Sequence, residues 1–178
     1  MGLLMARRIC ALVVSGISIV AAAEVVEVRD NGFLARSEVV INATPDKVWS
    51  ALIRVGRWWN PEHTYSGDAG HMTIDPRPGG CFCERLEKRG GVKHAEVVYA
   101  APGKALRLVG AFGPLQQDGV AGSLTWSLAA DGAGTKVTQT YSVGGYRQGG
   151  FVEMAPAVDQ VMSNQVQRLQ RFIETGTP

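Results

Sequence analysis

The segment Cys81-Phe82-Cys83-Glu84 has the clearest chemical potential in this sequence. Alternation along a strand places Glu84 on the same face as Phe82, and the two cysteines on the other face. If the Phe82 face is internal, Glu84 is a buried carboxylate whose raised pKa would suit an acid or a base. If the cysteine face is internal, Glu84 is a surface charge. The alternation alone does not decide between these two arrangements.

Cys81 and Cys83 allow three interpretations: a redox pair, part of a soft-metal site, or two small apolar residues lining a core face. In a flat strand their Cα atoms would lie about 6.6 Å apart, at the edge of what a disulfide spans. The third interpretation is preferred, because no CxxC pair or nearby histidine supplies further metal ligands. We therefore expect no metal.

His63 lies in a loop directly after Trp58 and Trp59, where it is either a polar anchor or general base at a pocket mouth or a solvent-facing side chain. His71 and His94 are expected on strand surfaces. The sequence contains no phosphate-cradling loop, dinucleotide fingerprint, nucleophile elbow or HExxH pair, so no cofactor is expected.

Gln139 and Tyr141 share one strand face with Val137 and Val143. An amide and a phenol that face inward need partners, either a ligand or neighbouring side chains and buried water. The candidate catalytic residues are Glu84, His63 and Tyr141.

The aromatic residues are expected mainly to pack. Trp126 contributes to the core, whereas one ring of Trp58 and Trp59 packs and the other faces the cavity mouth. The glycine-rich segment 144–150 is a candidate gate, and the loop 113–119 is a candidate second rim element.

Two segments with helical features bound a run of strands. Pro45 suits the first turn of a helix that Thr44 can cap, and a second helical turn carries residues 57–59. The C-terminal segment repeats apolar residues at three- and four-residue steps from Val158 to Ile173. Period-two patterns predict strands at 33–41, 71–75, 80–87, 92–100, 104–110, 122–130 and 135–143.

These elements predict an α+β fold. A curved antiparallel sheet of about seven strands surrounds the long C-terminal helix, with two short helices after the first strand. Such a helix must bury its apolar stripe, and only the sheet is available. A pocket is expected between the helix and the sheet.

Residues 1–23 resemble a signal peptide: Arg7 and Arg8 precede an apolar run of 15 residues that ends in an A-x-A pattern at Ala21 and Ala23. The alternative is a retained anchor, although a spanning helix needs about 20 residues. We expect cleavage after Ala23, a single domain over 24–178, no integral membrane anchor after cleavage, and export to the periplasm or the medium.

The charge balance argues against two classes of partner. Without residues 1–23 the chain carries equal numbers of basic and acidic residues, whereas the full sequence has a net charge of +2. Nucleic-acid binding calls for a clustered basic face, and binding to anionic membranes needs a basic patch. Neither partner is expected.

Several segments resemble the SRPBCC superfamily of START, polyketide cyclase and birch-pollen-allergen proteins, which has the helix-grip fold. They are the segment 41–52 with Arg57-Trp58-Trp59, the Gly79-Gly80-Cys81-Phe82 strand, the hairpin 97–108, and the strand from Gly132 to Tyr141. The resemblance covers about residues 33–174 and is closest to homologues of a heat-shock-protein ATPase activator. It implies a cavity for an apolar ligand, but it cannot choose among the superfamily's functions.

The preferred hypothesis is therefore the binding or carrying of a small hydrophobic molecule. A cyclase-, dehydratase- or hydrolase-like enzyme using general acid/base groups is the first alternative, and a protein-interaction module is the second. The residues expected to line the ligand site are Trp58, Trp59, His63, Tyr65, Phe82, Glu84, Tyr99, Trp126, Gln139, Tyr141, Met162 and Val166.

Overall fold

A computed structural model describes residues 23–178. The predicted signal peptide, except for its last residue, lies outside the described residues. No helix between residues 23 and 178 combines the length and the apolar character that crossing a membrane would require.

Eight antiparallel strands form one sheet, in the spatial order β1-β2-β8-β7-β6-β5-β4-β3. The strands are β1 Ala23–Arg29, β2 Gly32–Ile41, β3 Met72–Ile74, β4 Cys81–Arg85, β5 Gly91–Ala101, β6 Ala105–Val109, β7 Gly119–Asp131 and β8 Gly134–Tyr146. The helices are α1 Pro45–Leu52 and α2 Met154–Thr175. The predicted helix-grip architecture is confirmed, because the curved sheet holds the long C-terminal helix.

The sheet has one strand more than the seven that were predicted. β1 pairs with β2 across a tight turn at Asp30 and Asn31. Its alternation is weak because Val25 and Val26 are adjacent, and the register shifts between Val25 and Glu27. The pattern next to the predicted signal segment therefore did not reveal a strand.

Two short helical elements follow β2, and the second begins two residues before the predicted 57–59. Pro45 occupies the first turn of α1, and Thr44 stands at the cap position without a capping side-chain hydrogen bond. The second element is a single 3₁₀ turn at Val55–Arg57, which ends just before the two tryptophans. Together these elements close one end of the core.

α2 lies against β2 and β1 and buries the middle of the predicted stripe, whereas the apolar residues at the two ends of the stripe are half-buried. Met162, Val166 and Leu169 are buried against the inner face of the sheet. The helix ends at Gly176 in the left-handed conformation (φ 85°), whose N–H donates to the Phe172 carbonyl at 3.0 Å. The N-terminal half of α2 shares a cavity with Met72 of β3 and His94 of β5.

Cys81 and Cys83 lie on the outer face of β4, half-buried, and a disulfide joins them with a Cα–Cα distance of 5.4 Å. The preferred interpretation, two apolar residues on a core face, is therefore wrong. Their neighbours Phe82 and Glu84 therefore point to the inner face, where they are 0% and 2% exposed.

Candidate functional site

A cavity of about 440 Å³ opens between α2 and the loops that follow α1. One wall is the N-terminal half of α2, which contributes the apolar side chains Met154, Ala157, Val158, Val161 and Met162. These residues recur at three- and four-residue steps, so one helix face supplies the whole wall. The wall is hydrophobic, and its two methionines can adapt to ligands of different shape.

The facing wall comes from the loops and from β3 and β5. It includes Trp59, Met72, Phe112 and Pro114, together with the polar residues Glu62, His63, Thr64, Tyr65, His94 and Gln117. Polar groups are thus confined to one side of an otherwise apolar cavity. Such an arrangement is typical of sites that orient a ligand with a few hydrogen bonds.

Phe82 forms the base beneath this facing wall. Its ring centroid lies 5.1 Å from that of His94, 5.5 Å from that of Trp59 and 5.7 Å from that of Phe112. Phe82 is completely buried and does not line the cavity itself. It therefore supports the residues that do line the cavity.

Glu84 and His94 form a buried hydrogen-bonded pair. The Glu84 Oε2 atom lies 3.0 Å from His94 Nε2 and accepts the Tyr65 backbone N–H at 3.1 Å. The Oε1 atom accepts the Ser66 backbone N–H at 2.5 Å. The carboxylate thus connects β4, β5 and the loop at the cavity mouth.

The pair is polarised so that the carboxyl group carries the charge. Burial alone would raise the pKa of Glu84, but hydrogen bonds from Ser66, Tyr65 and His94 outweigh burial and hold that pKa below its ordinary value. The expected raised pKa is therefore wrong. Burial lowers the pKa of His94, against the opposing effect of Glu84, so the imidazole is neutral near pH 7.

The charge state fixes the tautomer of His94. An ionised carboxylate only accepts hydrogen bonds, so Nε2 of His94 carries the hydrogen. Nδ1 is then an acceptor: no hydrogen bond within residues 23–178 involves it, and it is not among the fully buried polar atoms of those residues that lack a partner, so it reaches accessible space. Because His94 lines the cavity, a lone pair is available to a ligand.

His94 was expected on the strand surface, and this expectation is wrong. In the β4–β5 ladder Phe82 pairs with Ala95 and Cys83 pairs with Lys93, so His94 is the extra residue of a β-bulge. The bulge buries both His94 and Ala95, which strict alternation forbids. Without the partner strand, the sequence held no indication of the bulge.

The cavity mouth is formed by two loops that hydrogen-bond to each other. The Tyr65 hydroxyl donates to the Gly113 carbonyl at 3.0 Å, and Trp59 Nε1 donates to the His63 carbonyl at 3.0 Å. His63 itself is exposed at the rim. Trp59 lines the cavity, as one of the two tryptophans was expected to do.

Five of the expected site residues belong instead to the core beside the cavity. Trp58 donates its indole N–H to the Ala51 carbonyl at 3.1 Å, and Val166 is completely buried. Trp126 donates to Gln139 Oε1 at 2.8 Å, and Gln139 Nε2 donates to the Met162 carbonyl at 2.8 Å. The buried amide is thus satisfied by protein groups. The fifth of these residues is Tyr141.

Tyr141 positions the loop that carries Phe112. Its hydroxyl accepts the Phe112 backbone N–H at 3.1 Å and donates to the Gly110 carbonyl at 3.2 Å. Burial raises the pKa of this phenol strongly, so it stays protonated. Tyr141 therefore acts on the cavity only through the Phe112 loop.

Tyr99 lies on the outer face of the sheet, 48% exposed, with the Arg107 guanidinium 5.7 Å from its ring centre. The register shift between Val97 and Tyr99 places Val98 and Tyr99 outside together. The expectation that Tyr99 lines the ligand site is therefore wrong.

The three candidate catalytic residues do not meet in one site. His63 is at the rim, Tyr141 is in the core, and Glu84 reaches the cavity only through His94. The geometry assembles Glu84 and His94 instead. No cluster of three or more potential metal ligands occurs within residues 23–178.

Residues 33–174 match the family described as polyketide cyclase / dehydrase and lipid transport. The chain belongs to this family. Membership supports a ligand-binding or cyclase-like function and does not distinguish between the two. No curated protein matches the sequence.

Solved structures share the family's fold with this chain. DynU16, from the dynemicin biosynthetic locus, aligns with a TM-score of 0.59 at 21% identity over 82% of this chain and 48% of its own. CalU16 from Micromonospora echinospora aligns with a TM-score of 0.58 at 18% identity, over 89% and 86%. The Aha1 dimer from Colwellia psychrerythraea gives 0.59 at 17% identity, over 82% and 98%. These similarities concern the fold alone.

Proposed function

We propose that this protein binds a small hydrophobic molecule in the cavity between α2 and the loops after α1. The observation that carries the proposal is the combination of an apolar helix wall with one unpartnered acceptor, Nδ1 of His94, on the facing wall. A volume of about 440 Å³ falls within the range of small-molecule sites.

Filling the cavity tests the proposal. Val161 lies in the apolar wall, so Val161→Trp should block binding of N-phenyl-1-naphthylamine, a neutral probe that fluoresces in apolar surroundings. Val152→Trp is the matched control, because Val152 is 65% exposed near the start of the same helix. Equal probe binding by both variants would contradict the proposed site, provided that both melt like the wild type.

A second candidate function is general-base catalysis of the cyclase, dehydratase or hydrolase type. It is favoured by the Glu84–His94 pair, because a carboxylate that holds one imidazole nitrogen protonated leaves the other basic and oriented. His94→Gln should then abolish conversion of a bound ligand while probe binding persists. Conversion at an unchanged rate in His94→Gln would remove this candidate.

The protein-interaction alternative called for a sealed core with a large exposed apolar patch. The cavity opens to solvent beside exposed polar residues such as Glu62 and His63, so the ligand-binding proposal is favoured over that alternative.

Export is part of the proposal. The basic pair, the apolar run and the A-x-A pattern of residues 1–23 support cleavage after Ala23, which leaves Glu24 as the first residue. The intact mass of the protein recovered from the periplasm or the medium of an expressing bacterium checks this. Recovery of the uncleaved chain in the cytoplasm alone would contradict it.

A further inference from the structure

The cavity contains no cationic side chain among the described residues that line it. The one formally charged lining residue is Glu62, at the mouth. A second negative charge, on Glu84, lies directly behind His94 and has only neutral hydrogen-bond donors around it. The electrostatic environment of the site is therefore negative.

Two basic side chains next to lining residues are engaged elsewhere. Lys93 precedes His94 but lies on the outer side of the bulged strand, exposed and paired with Glu96 at 2.5 Å. Arg168 donates to the Trp58 carbonyl at 2.9 Å and to the Trp59 carbonyl at 3.4 Å. Neither cation offers a hydrogen bond into the cavity.

Anions, ammonium ions and neutral molecules would interact differently with this site. An anion lacks a hydrogen for the acceptor Nδ1 of His94 and is repelled by Glu84 and Glu62. An ammonium ion must lose its water against the apolar wall of α2, which is costly. A neutral molecule with one O–H or N–H group satisfies the acceptor and leaves the rest of its surface for the apolar wall.

We infer that the ligand is a neutral, mainly apolar molecule that donates one hydrogen bond to Nδ1 of His94, and that the site rejects carboxylates and other organic anions. This inference rests on the proposed ligand-binding function and specifies the ligand class. It distinguishes hydroxylated or N–H-bearing apolar molecules from ionised fatty acids and aromatic acids of the same size.

Three matched probes test the inference at pH 7: 2-naphthol, naphthalene and 2-naphthoate, each competing with N-phenyl-1-naphthylamine. The hydroxyl group of 2-naphthol can donate to Nδ1 of His94, so 2-naphthol should bind several-fold more tightly than naphthalene. The Glu84 charge lies one imidazole ring away from the ligand. With an effective dielectric constant of ~20, its repulsion should make the binding of 2-naphthoate about 30-fold weaker than that of 2-naphthol.

Glu84→Gln provides the sharpest variant. The amide N–H₂ can donate to Nε2 of His94, which moves the ring hydrogen to Nδ1 and turns the cavity-facing acceptor into a donor. The preference should then shift toward 2-naphthoate by about tenfold or more. Glu62→Gln, at an exposed position, removes a rim charge without changing the tautomer, so it should relieve only a small part of the discrimination.

The outcomes distinguish a failure of the inferred ligand class from a failure of the proposed ligand-binding function. Equal binding of 2-naphthol and 2-naphthoate to the wild type, with the probe displaced, would overturn the inference and leave the proposed function standing. Failure of the fluorescent probe and all three naphthalenes to bind would count against the proposed function itself. If Glu84→Gln is too unstable to assay, His94→Phe serves instead, and it should remove the advantage of 2-naphthol over naphthalene.

Discussion

Replacing Glu84 with glutamine tests whether its carboxylate organises the site. The carboxylate accepts three N–H groups, from Tyr65, Ser66 and His94. Glutamine has one acceptor oxygen, so it can keep the Ser66 contact and donate to His94, but it leaves the Tyr65 N–H without a partner. The Tyr65 bond is only part-buried, so leaving its donor unsatisfied should cost about 1 kcal/mol. Losing the charge also weakens the remaining bonds, so we expect a total loss of about 2 kcal/mol.

Urea unfolding followed by tryptophan fluorescence measures this loss. Glu96→Gln is the control, because Glu96 lies on the neighbouring strand in an exposed pair with Lys93, and its replacement should cost about 0.5 kcal/mol or less. A cost for Glu84→Gln that equals the control would refute the organising role of the carboxylate.

The same comparison has a defined dependence on pH. The pKa of Glu84 is lower in the folded state than in the unfolded state, so its contribution is fully present above the unfolded pKa. The contribution is lost as the pH falls through the folded pKa. The stability difference between the wild type and Glu84→Gln should therefore shrink below about pH 4, near the pKa of an unfolded glutamate. A difference that grows on acidification would contradict the assigned charge state.

Three further variants probe the frame around the site. Gln139→Leu leaves the buried Trp126 indole N–H unpaired and should cost about 2–4 kcal/mol in urea unfolding, and Trp126→Phe should cost less in that background than in the wild type because the unpaired donor is then gone. Tyr141→Phe removes the hydroxyl that holds the Phe112 loop, so we expect a loss of about 1–2 kcal/mol and faster hydrogen exchange at the Phe112 amide. Replacing Cys81 and Cys83 with serine opens a disulfide that closes only three residues, and thermal and urea unfolding should show a loss of at most about 2 kcal/mol.

Local patterns were enough to predict most of the fold. The alternation of β8 correctly placed Gln139 and Tyr141 inside, and the helical repeat correctly predicted the buried Met162, Val166 and Leu169 of α2. Pro45 marked the start of α1. These features depend on neighbours within one element, so the sequence of that element contains them.

The site depended on relations between elements, which no single segment encodes. The alternation in β4 left two choices for the face on which Glu84 lies, and only the packing of β4 against its neighbours decides between them. His94 faces the cavity because a bulge in β5 shifts it relative to β4, and Tyr99 faces outward after a second register shift. Likewise, the inward orientation of Gln139 was predictable from β8 alone, but its hydrogen bonds to Trp126 and Met162 were not.

Native mass spectrometry of the protein purified from an exporting host tests the central claim most directly. We expect a discrete bound mass that is released on denaturation, absent from Val161→Trp and retained by Val152→Trp. The released compound should be neutral and carry an O–H or N–H group. An apo mass for the wild type, with no thermal shift from apolar compounds of any class, would contradict ligand binding in this cavity.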